Sequence, residues 1–326
     1  MLAWLVLIVA FIILAKCADL FVESAVVIAD RFKIPKLVIG IVLVSLATTT
    51  PEMTVSLISA FRGKPEMALG NAIGSVICDD GIALALAGIV SVGVITIQPR
   101  VLKISATFLI LLQLVTFFFV IGNNTLNRWQ GGVLVSILAV YIAVLYHQHK
   151  RGKLHSEMEL MELDREIEKE KKKSLKILSF VFLIGLGGII ISSELIVTSA
   201  VHIAGWMAIP QSVVALTIIA LGTSLPEIAT SVIAARKGEG QIAVGNILGA
   251  DILNISWVAG VSAIANPLVL ERREILFMFP SMFIIVGAML IMLRMGYSLT
   301  RKKGIALLSL YILYVISFLL IFPRNN

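Results

Sequence analysis

Residues 2–15, LAWLVLIVAFIILA, carry no charged side chain, and similar stretches recur along the whole chain. About 20 consecutive apolar residues span the hydrocarbon core of a bilayer as one helix. These runs are too long, and alternate too little, to be strands of a membrane barrel. The expected fold class is therefore an all-α integral membrane protein. Composition agrees: 59% of the residues are hydrophobic and 14% are charged, against about 45–50% apolar in ordinary soluble chains. Ten transmembrane helices are expected, at 2–30, 37–61, 66–93, 101–122, 129–147, 174–203, 211–236, 241–265, 274–293 and 303–322. The longer ones must tilt or break to fit the bilayer. No basic residue precedes the first run and no small-residue cleavage site follows it, so it reads as a retained helix and not a signal peptide.

The net charge of +7 does not point to nucleic acid, because the basic residues sit in short connections and in one polar segment, 148–173. With the N-terminus outside, inner loops hold 20 Lys and Arg residues and outer loops 6. The positive-inside rule then puts both termini outside and the 148–173 segment in the cytoplasm. That segment mixes both signs of charge without clean i,i+4 pairing, as expected of a solvated, partly helical linker. It has no EF-hand pattern, and His147, His149 and His155 belong to its solvated surface. Cys17 and Cys78 lie in apolar runs, where they pack as small hydrophobes and build neither a disulfide framework nor a zinc site.

Shifted by 175 residues, the chain matches itself without a gap. Thr48, Pro51 and Glu52 fall on Thr223, Pro226 and Glu227. Ser56, Gly63, Gly70, Asn71 and Gly74 fall on Ser231, Gly238, Gly245, Asn246 and Gly249, and between 34 and 74 identities number 15 in 41 positions. Chance similarity of apolar helices would match Leu, Ile and Val, whereas here Pro, Glu, Gly and Asn coincide. Each half holds five spans, and an odd number makes the second half enter from the opposite face. The expected architecture is two inverted five-helix repeats: 1–147, with its most similar part at about 34–91, and 174–326, with its most similar part at about 209–266. The polar linker at 148–173 joins them. Secondary transporters are commonly built this way, with the substrate near the midplane where the repeats meet.

The repeated stretches LATTTPE (46–52) and LGTSLPE (221–227) carry the chemistry. Proline has no N–H and pushes on the carbonyl four residues back, which frees carbonyls around Ala47 and Gly222. Within a bilayer such a break persists only where something satisfies the freed groups, and a desolvated cation does so. The hydroxyls of Thr48, Thr49, Thr223 and Ser224 add neutral oxygens, and Glu52 and Glu227 add charge. This donor set suits a hard cation, calcium or sodium. In the second stretches, GNAIGSVICDDG (70–81) and GNILGADILNIS (245–256), the leading glycines allow close helix approach. Asn71 and Asn246 are candidate ligands or backbone caps. Ser75 and Asp79 share one helix face, as do Ala250 and Asn254, with Asp251 one residue further round and Asp80 turned about 100° from Asp79. Acids at membrane depth are functional candidates by default. Five of them close together cannot all be ionised without compensating cations or protons. Asp19 and Glu194 also coincide under the shift, with Lys16 about one turn from Asp19 as a candidate partner.

The paired G-[TS]-[ST]-x-P-E and G-N-x-x-G-[SA] stretches, set in halves of five helices, resemble the α-repeats of the calcium/cation antiporter superfamily, and within it most resemble the prokaryotic sodium/calcium exchangers. The resemblance implies a compact core of the second, third, seventh and eighth helices, past which a two-helix gate slides. It implies central calcium ligands at Glu52 and Glu227 with backbone help from Thr48 and Thr223. It also implies flanking sodium sites at Thr49, Ser224, Ser75, Asp79 and Asn254, with carbonyls near Ser45 and Ala220. Three departures stand out. Ala47 replaces the usual glycine, Ser75 is matched by Ala250, and Asp251 is an extra acid.

Calcium/sodium exchange by alternating access is the function expected, on a multi-pass cell-membrane protein with no cofactor and no nucleic-acid partner. Its partners are calcium and sodium ions and the lipid bilayer, and all ligands come from one chain, so a monomer suffices. Exchange of protons for calcium or another divalent cation on the same fold is the alternative. The proton-coupled branch usually carries a glutamate soon after its G-N pair, and neither repeat has one. A channel is disfavoured because selectivity rings commonly come from separate subunits. An enzyme is disfavoured because no nucleophile–base pair or HExxH motif is present.

Overall fold

The structure, a computed structural model, describes residues 2–32, 34–63, 65–150, 175–206 and 220–321. Most of the 148–173 linker and residues 211–219 of the expected seventh span lie outside the described residues. Among them the chain is almost wholly helical. Eight helices are long and apolar enough to cross a membrane, and nine if one bent pair counts as a single span.

In chain order these are α1 (Leu2–Arg31), the bent pair α2 (Lys36–Thr48) and α3 (Thr50–Phe61), α4 (Pro65–Val90), α5 (Pro99–Asn123) and α6 (Arg128–Lys150). Then come α7 (Leu175–Trp206), the short α8 (Ala220–Thr223), α9 (Leu225–Arg236), α10 (Gly240–Ala265), α11 (Arg272–Arg294) and α12 (Arg301–Ile321). Three helices contain a π-helical segment: Gly40–Val44 in α2, Asp79–Leu84 in α4 and Asn254–Val258 in α10. Such segments insert a residue into the turn and are frequent at functional sites.

Four two-residue strands close the ends of the bundle. β1 (Ile95–Thr96) pairs antiparallel with β4 (Ser298–Leu299), and β2 (Thr125–Leu126) with β3 (Leu268–Val269). Each miniature sheet therefore takes one strand from either side of the linker.

The centre is formed by α4 and α10, crossed by α2, α3 and α9. The contact of α2 with α10 is made backbone to backbone through glycines. A Cβ on Gly40 would lie 2.6 Å from the Ile242 carbonyl oxygen, and one on Gly245 would strike the Leu37 carbonyl. With no hydrophobic drive between helices in lipid, such close van der Waals packing is what holds them. Helices α3 and α9 end alike, each two residues before a glycine in the left-handed region, Gly63 (φ 71°) and Gly238 (φ 83°), a conformation an L-residue adopts only with strain.

Outside this centre, α1 and α7 run together as a pair. The Phe21 and Phe182 rings stand 4.4 Å apart. A Cβ on Gly185 would come within 2.9 Å of the Phe21 backbone nitrogen, and one on Gly188 would meet Cys17. Both cysteines are free, and Cys17 serves as packing here.

Candidate cation site

The two proline breaks share one backbone geometry. Thr49 (φ −76°, ψ 1°) and Ser224 (φ −87°, ψ 6°) leave the helical conformation, and Pro51 and Pro226 enter the first turns of α3 and α9. A first-turn N–H has no intrahelical acceptor, so proline loses nothing there. The α2–α3 pair bends by 44° at its break. Glu52 and Glu227 follow the prolines in those first turns, where the helix dipole favours negative charge.

Both glutamates are fully buried. Glu52 has Glu227 and Asp79 as its nearest charges. Glu227 stands beside the hydroxyls of Thr48 and Thr49, and Asp79 beside that of Ser224. Hydroxyls of the first half thus flank the carboxylate of the second, and the reverse. Among the described residues, none of the four carboxylate oxygens of Glu52 and Glu227 has a hydrogen-bond partner, and neither do Ser75 Oγ, Ser224 Oγ, Asp79 Oδ1 or Asn254 Oδ1. Buried polar groups are nearly always satisfied, and buried charge needs a counter-charge. Among the described residues no three His, Cys, Asp or Glu side chains form a metal cluster by themselves, so a cation held here takes hydroxyl, amide and carbonyl oxygens with its carboxylates.

Asp79 and Asn254, related by the 175-residue offset, meet directly: Asn254 Nδ2 donates to Asp79 Oδ2 at 3.3 Å. Each heads a π-helical segment, which places them at a widened turn. Thr49 Oγ1 donates to the Ser45 carbonyl at 2.6 Å and Ser45 Oγ to that of Ile41. A hydroxyl that gives its proton to a carbonyl turns its lone pairs outward. The Ser45 carbonyl itself accepts from Thr49 N (2.9 Å) and Thr49 Oγ1; Thr48 Oγ1 lies 3.3 Å from it but gives its single proton to the nearer Asn246 Oδ1 (3.1 Å). Both of its lone pairs are thus engaged by protein donors. Ala220, the other carbonyl position, begins α8.

Asn71 and Asn246 prove to be cross-links. Asn71 Nδ2 donates to Ser56 Oγ (3.0 Å) and its Oδ1 accepts from Thr223 (3.3 Å). Asn246 Nδ2 donates to Ser231 Oγ (3.0 Å) and its Oδ1 accepts from Thr48 (3.1 Å). Each amide is hydrogen-bonded through both its nitrogen and its oxygen, and the oxygen keeps a second lone pair. They fix the threonines that line the site. The sequence signal was available, because Ser56 and Ser231 also coincide under the offset.

The five acids form a continuous series. Glu52, Glu227 and Asp79 come first, and the carboxyls of Asp80 and Asp251 lie beside one another and within electrostatic reach of Asp79, fully buried. Asp19 stands apart from them, and its partner is not Lys16. Lys237 Nζ lies 2.7 Å from Asp19 Oδ1 and 2.7 Å from Glu23 Oε1.

The family model for the sodium/calcium exchanger protein matches residues 2–147 and 177–320. The chain belongs to that family. Within it, the chain is 27% identical over 347 residues to the sodium/calcium exchanger MaX1 of Methanosarcina acetivorans, covering 96% of this chain and 97% of that one. It is 35% identical over 275 residues to the inner membrane protein YrbG of Escherichia coli, covering 82% and 81%. Among solved structures, the sodium-calcium exchanger NCX_Mj soaked with 2.5 mM Na+ and 0.1 mM Ca2+ superposes with a TM-score of 0.81 at 26% identity, over 97% of this chain and 98% of that one. NCX_Mj soaked with 2.5 mM Na+ and 10 mM Sr2+ gives 0.80 at 28%, over the same shares. The exchanger family fold is thus that of the whole chain, and this is a multi-pass, all-helical membrane protein.

Proposed function

We propose that the chain is a secondary antiporter that exchanges calcium for sodium by alternating access, with the cation site between Glu52 and Glu227. The observation that carries this is the set of four buried carboxylate oxygens, two from each proline break, that have no hydrogen-bond partner among the described residues in a chain of the sodium/calcium exchanger family. Calcium takes six to eight oxygens in flexible geometry. Glu52, Glu227, Thr48 and Thr223 supply the centre. Thr49, Ser224, Ser75, Asp79 and Asn254 supply flanking oxygens for sodium, and Asp251 lies on the margin of the site. Sodium and calcium compete for the same carboxylates, so occupancy by one expels the other. The core moves only when its buried charge is balanced.

The architecture proposed is ten spans in two inverted five-helix repeats, 1–147 and 174–326. The offset of 175 residues supports it: it carries α3 onto α9, and Pro65–Cys78 of α4 onto Gly240–Leu253 of α10. The exchange of strands between the two miniature sheets supports it as well. The span that brings the nine to ten is the seventh in order, 211–236, to which α8 and α9 belong. Both termini lie outside and 148–173 is cytoplasmic, following the basic residues. The site is complete in one chain, so the monomer transports, with no cofactor and no covalent chemistry.

Purified protein in liposomes tests this. A sodium gradient is expected to drive calcium uptake and a pH gradient to drive none. Uptake driven by pH alone would move the chain to proton exchange, and rapid flux independent of either gradient would make it a channel.

A further inference from the structure

The Lys237 ion pairs have a shadow elsewhere in the sequence. Lys237 is the residue before Gly238, where α9 ends, and it joins α9 to α1 through Asp19 and Glu23. The 175-residue offset carries Lys237 onto Arg62, the residue before Gly63, where α3 ends. The same offset carries Asp19 of α1 onto Glu194 of α7. Base falls on base and acid on acid. Yet only one of the two pairings is made: no ion pair holds Arg62 or Glu194 among the described residues, and both side chains are exposed.

In a transporter of inverted repeats, the opposite-facing state is reached when each half adopts the other's arrangement about a fixed site. The α1–α7 pair then stands to α3 as it now stands to α9. We propose that Lys237 and Arg62 are alternating latches: Lys237 holds α1 through Asp19 and Glu23 in the conformation described here, and Arg62 holds α7 through Glu194 in the opposite-facing one. Both are positioning residues and neither touches the ions. The latches are unequal. Glu23 falls on Thr198, so Lys237 has two carboxylates and Arg62 one, which biases the free protein toward the conformation described here. Transport requires each latch to be weak, and the partial exposure of the Lys237 pairs (24% for Lys237, 43% for Asp19, 60% for Glu23) keeps it so.

This inference rests on the inverted-repeat antiporter reading, and the test separates the two. Nitroxide labels on Trp4→Cys and Val140→Cys, in a background of Cys17→Ala and Cys78→Ala, report the two conformers as distance populations at equilibrium, with no transport required. Lys237→Ala is expected to lower the ratio of the present conformer to its opposite by roughly two- to fivefold, the range of exposed ion pairs. Arg62→Ala is expected to raise that ratio, by less. Lys237→Arg, which keeps the charge, is expected to leave it close to wild type and controls for folding. Shifts in the same direction for both alanine variants, or no shift in either, would overturn the latches. Absence of sodium-driven calcium uptake by the unmutated protein would overturn the antiporter reading instead, while the distance measurement would still stand.

Discussion

Two sets of membrane carboxylates in this chain live under different rules. Glu52, Glu227 and Asp79 are fully buried between α3, α4, α9 and α10, each with at least one carboxylate oxygen that has no hydrogen-bond partner among the described residues. Asp19 and Glu23 stand on α1, half exposed, and close on one ammonium at 2.7 Å. A buried carboxylate without a counter-charge is unfavourable by several kcal/mol. It therefore belongs with a cation that comes and goes. An exposed pair contributes about 0–1 kcal/mol, small enough to break in every cycle. The first set faces the candidate cation site, and the second ties α1 to the end of α9.

Removing a charge from the first set is the largest expected change. Glu52→Gln or Glu227→Gln should reduce sodium-driven calcium uptake to background in liposomes, while thermal stability in detergent holds or rises, because an uncompensated carboxylate has gone. Exchange that survived both changes would remove the distinction between the two sets. Close packing of the core sets the next expectation. Gly245→Val pushes a side chain into the α2 backbone at Leu37 and Gly40 and should destabilise the fold by more than about 3 kcal/mol, at the upper end of overpacking. Gly132→Ala, where an added Cβ would meet nothing within 4 Å, should hold or slightly raise the melting temperature, because alanine favours a helix over glycine.

The cross-links come third. Asn246→Leu orphans Ser231 and Thr48 and should lower stability by about 1–3 kcal/mol, read as a thermal shift, with weaker calcium binding because Thr48 is no longer fixed. Ala250→Ser restores the hydroxyl that Ser75 has in the first half, and apparent sodium affinity should rise several-fold with calcium affinity little changed. The smallest change belongs to the gate. Lys237→Ala should alter melting stability by less than about 1 kcal/mol. Partial burial alone would lower the Lys237 pKa, but bonds to the Asp19 and Glu23 carboxylates more than reverse this and hold it above the ordinary lysine value of 10.5. A base whose pKa rises on folding contributes stability that is complete below its unfolded value and lost as pH climbs through the folded one. The small contribution of Lys237 should accordingly be constant across neutral pH and fade only in strong alkali, in a titration of thermal stability against pH.

Much of the site was legible from residue types alone. Proline followed by glutamate inside an apolar run fixes both a helix break and a charge at one place, and the offset names its twin. The partners of Asn71, Asn246 and Asp19 were not legible. Asn71 and Asn246 were candidate ligands on composition, and only the approach of Thr223 and Thr48 from the other half occupies them. Lys16 was the nearest cation to Asp19 along the helix, but Lys237 reaches it from a segment 218 positions away. The π-helical segments at Asp79 and Asn254 were also invisible, since they change the turn without any proline or glycine at their first residue.

The sequence by itself determined the solvent, the breaks and the duplication. Burying so many apolar residues requires a bilayer, proline forbids a continuous helix, and a gapless offset needs no coordinates to be seen. Tertiary structure alone decided which carboxylates face one another, which hydroxyl serves which acid, and which of two equivalent cations is bonded. Helical periodicity sets the face on which a side chain lies, but its neighbour across a helix crossing depends on how closely two backbones pack, here through Gly40, Gly245 and Gly249.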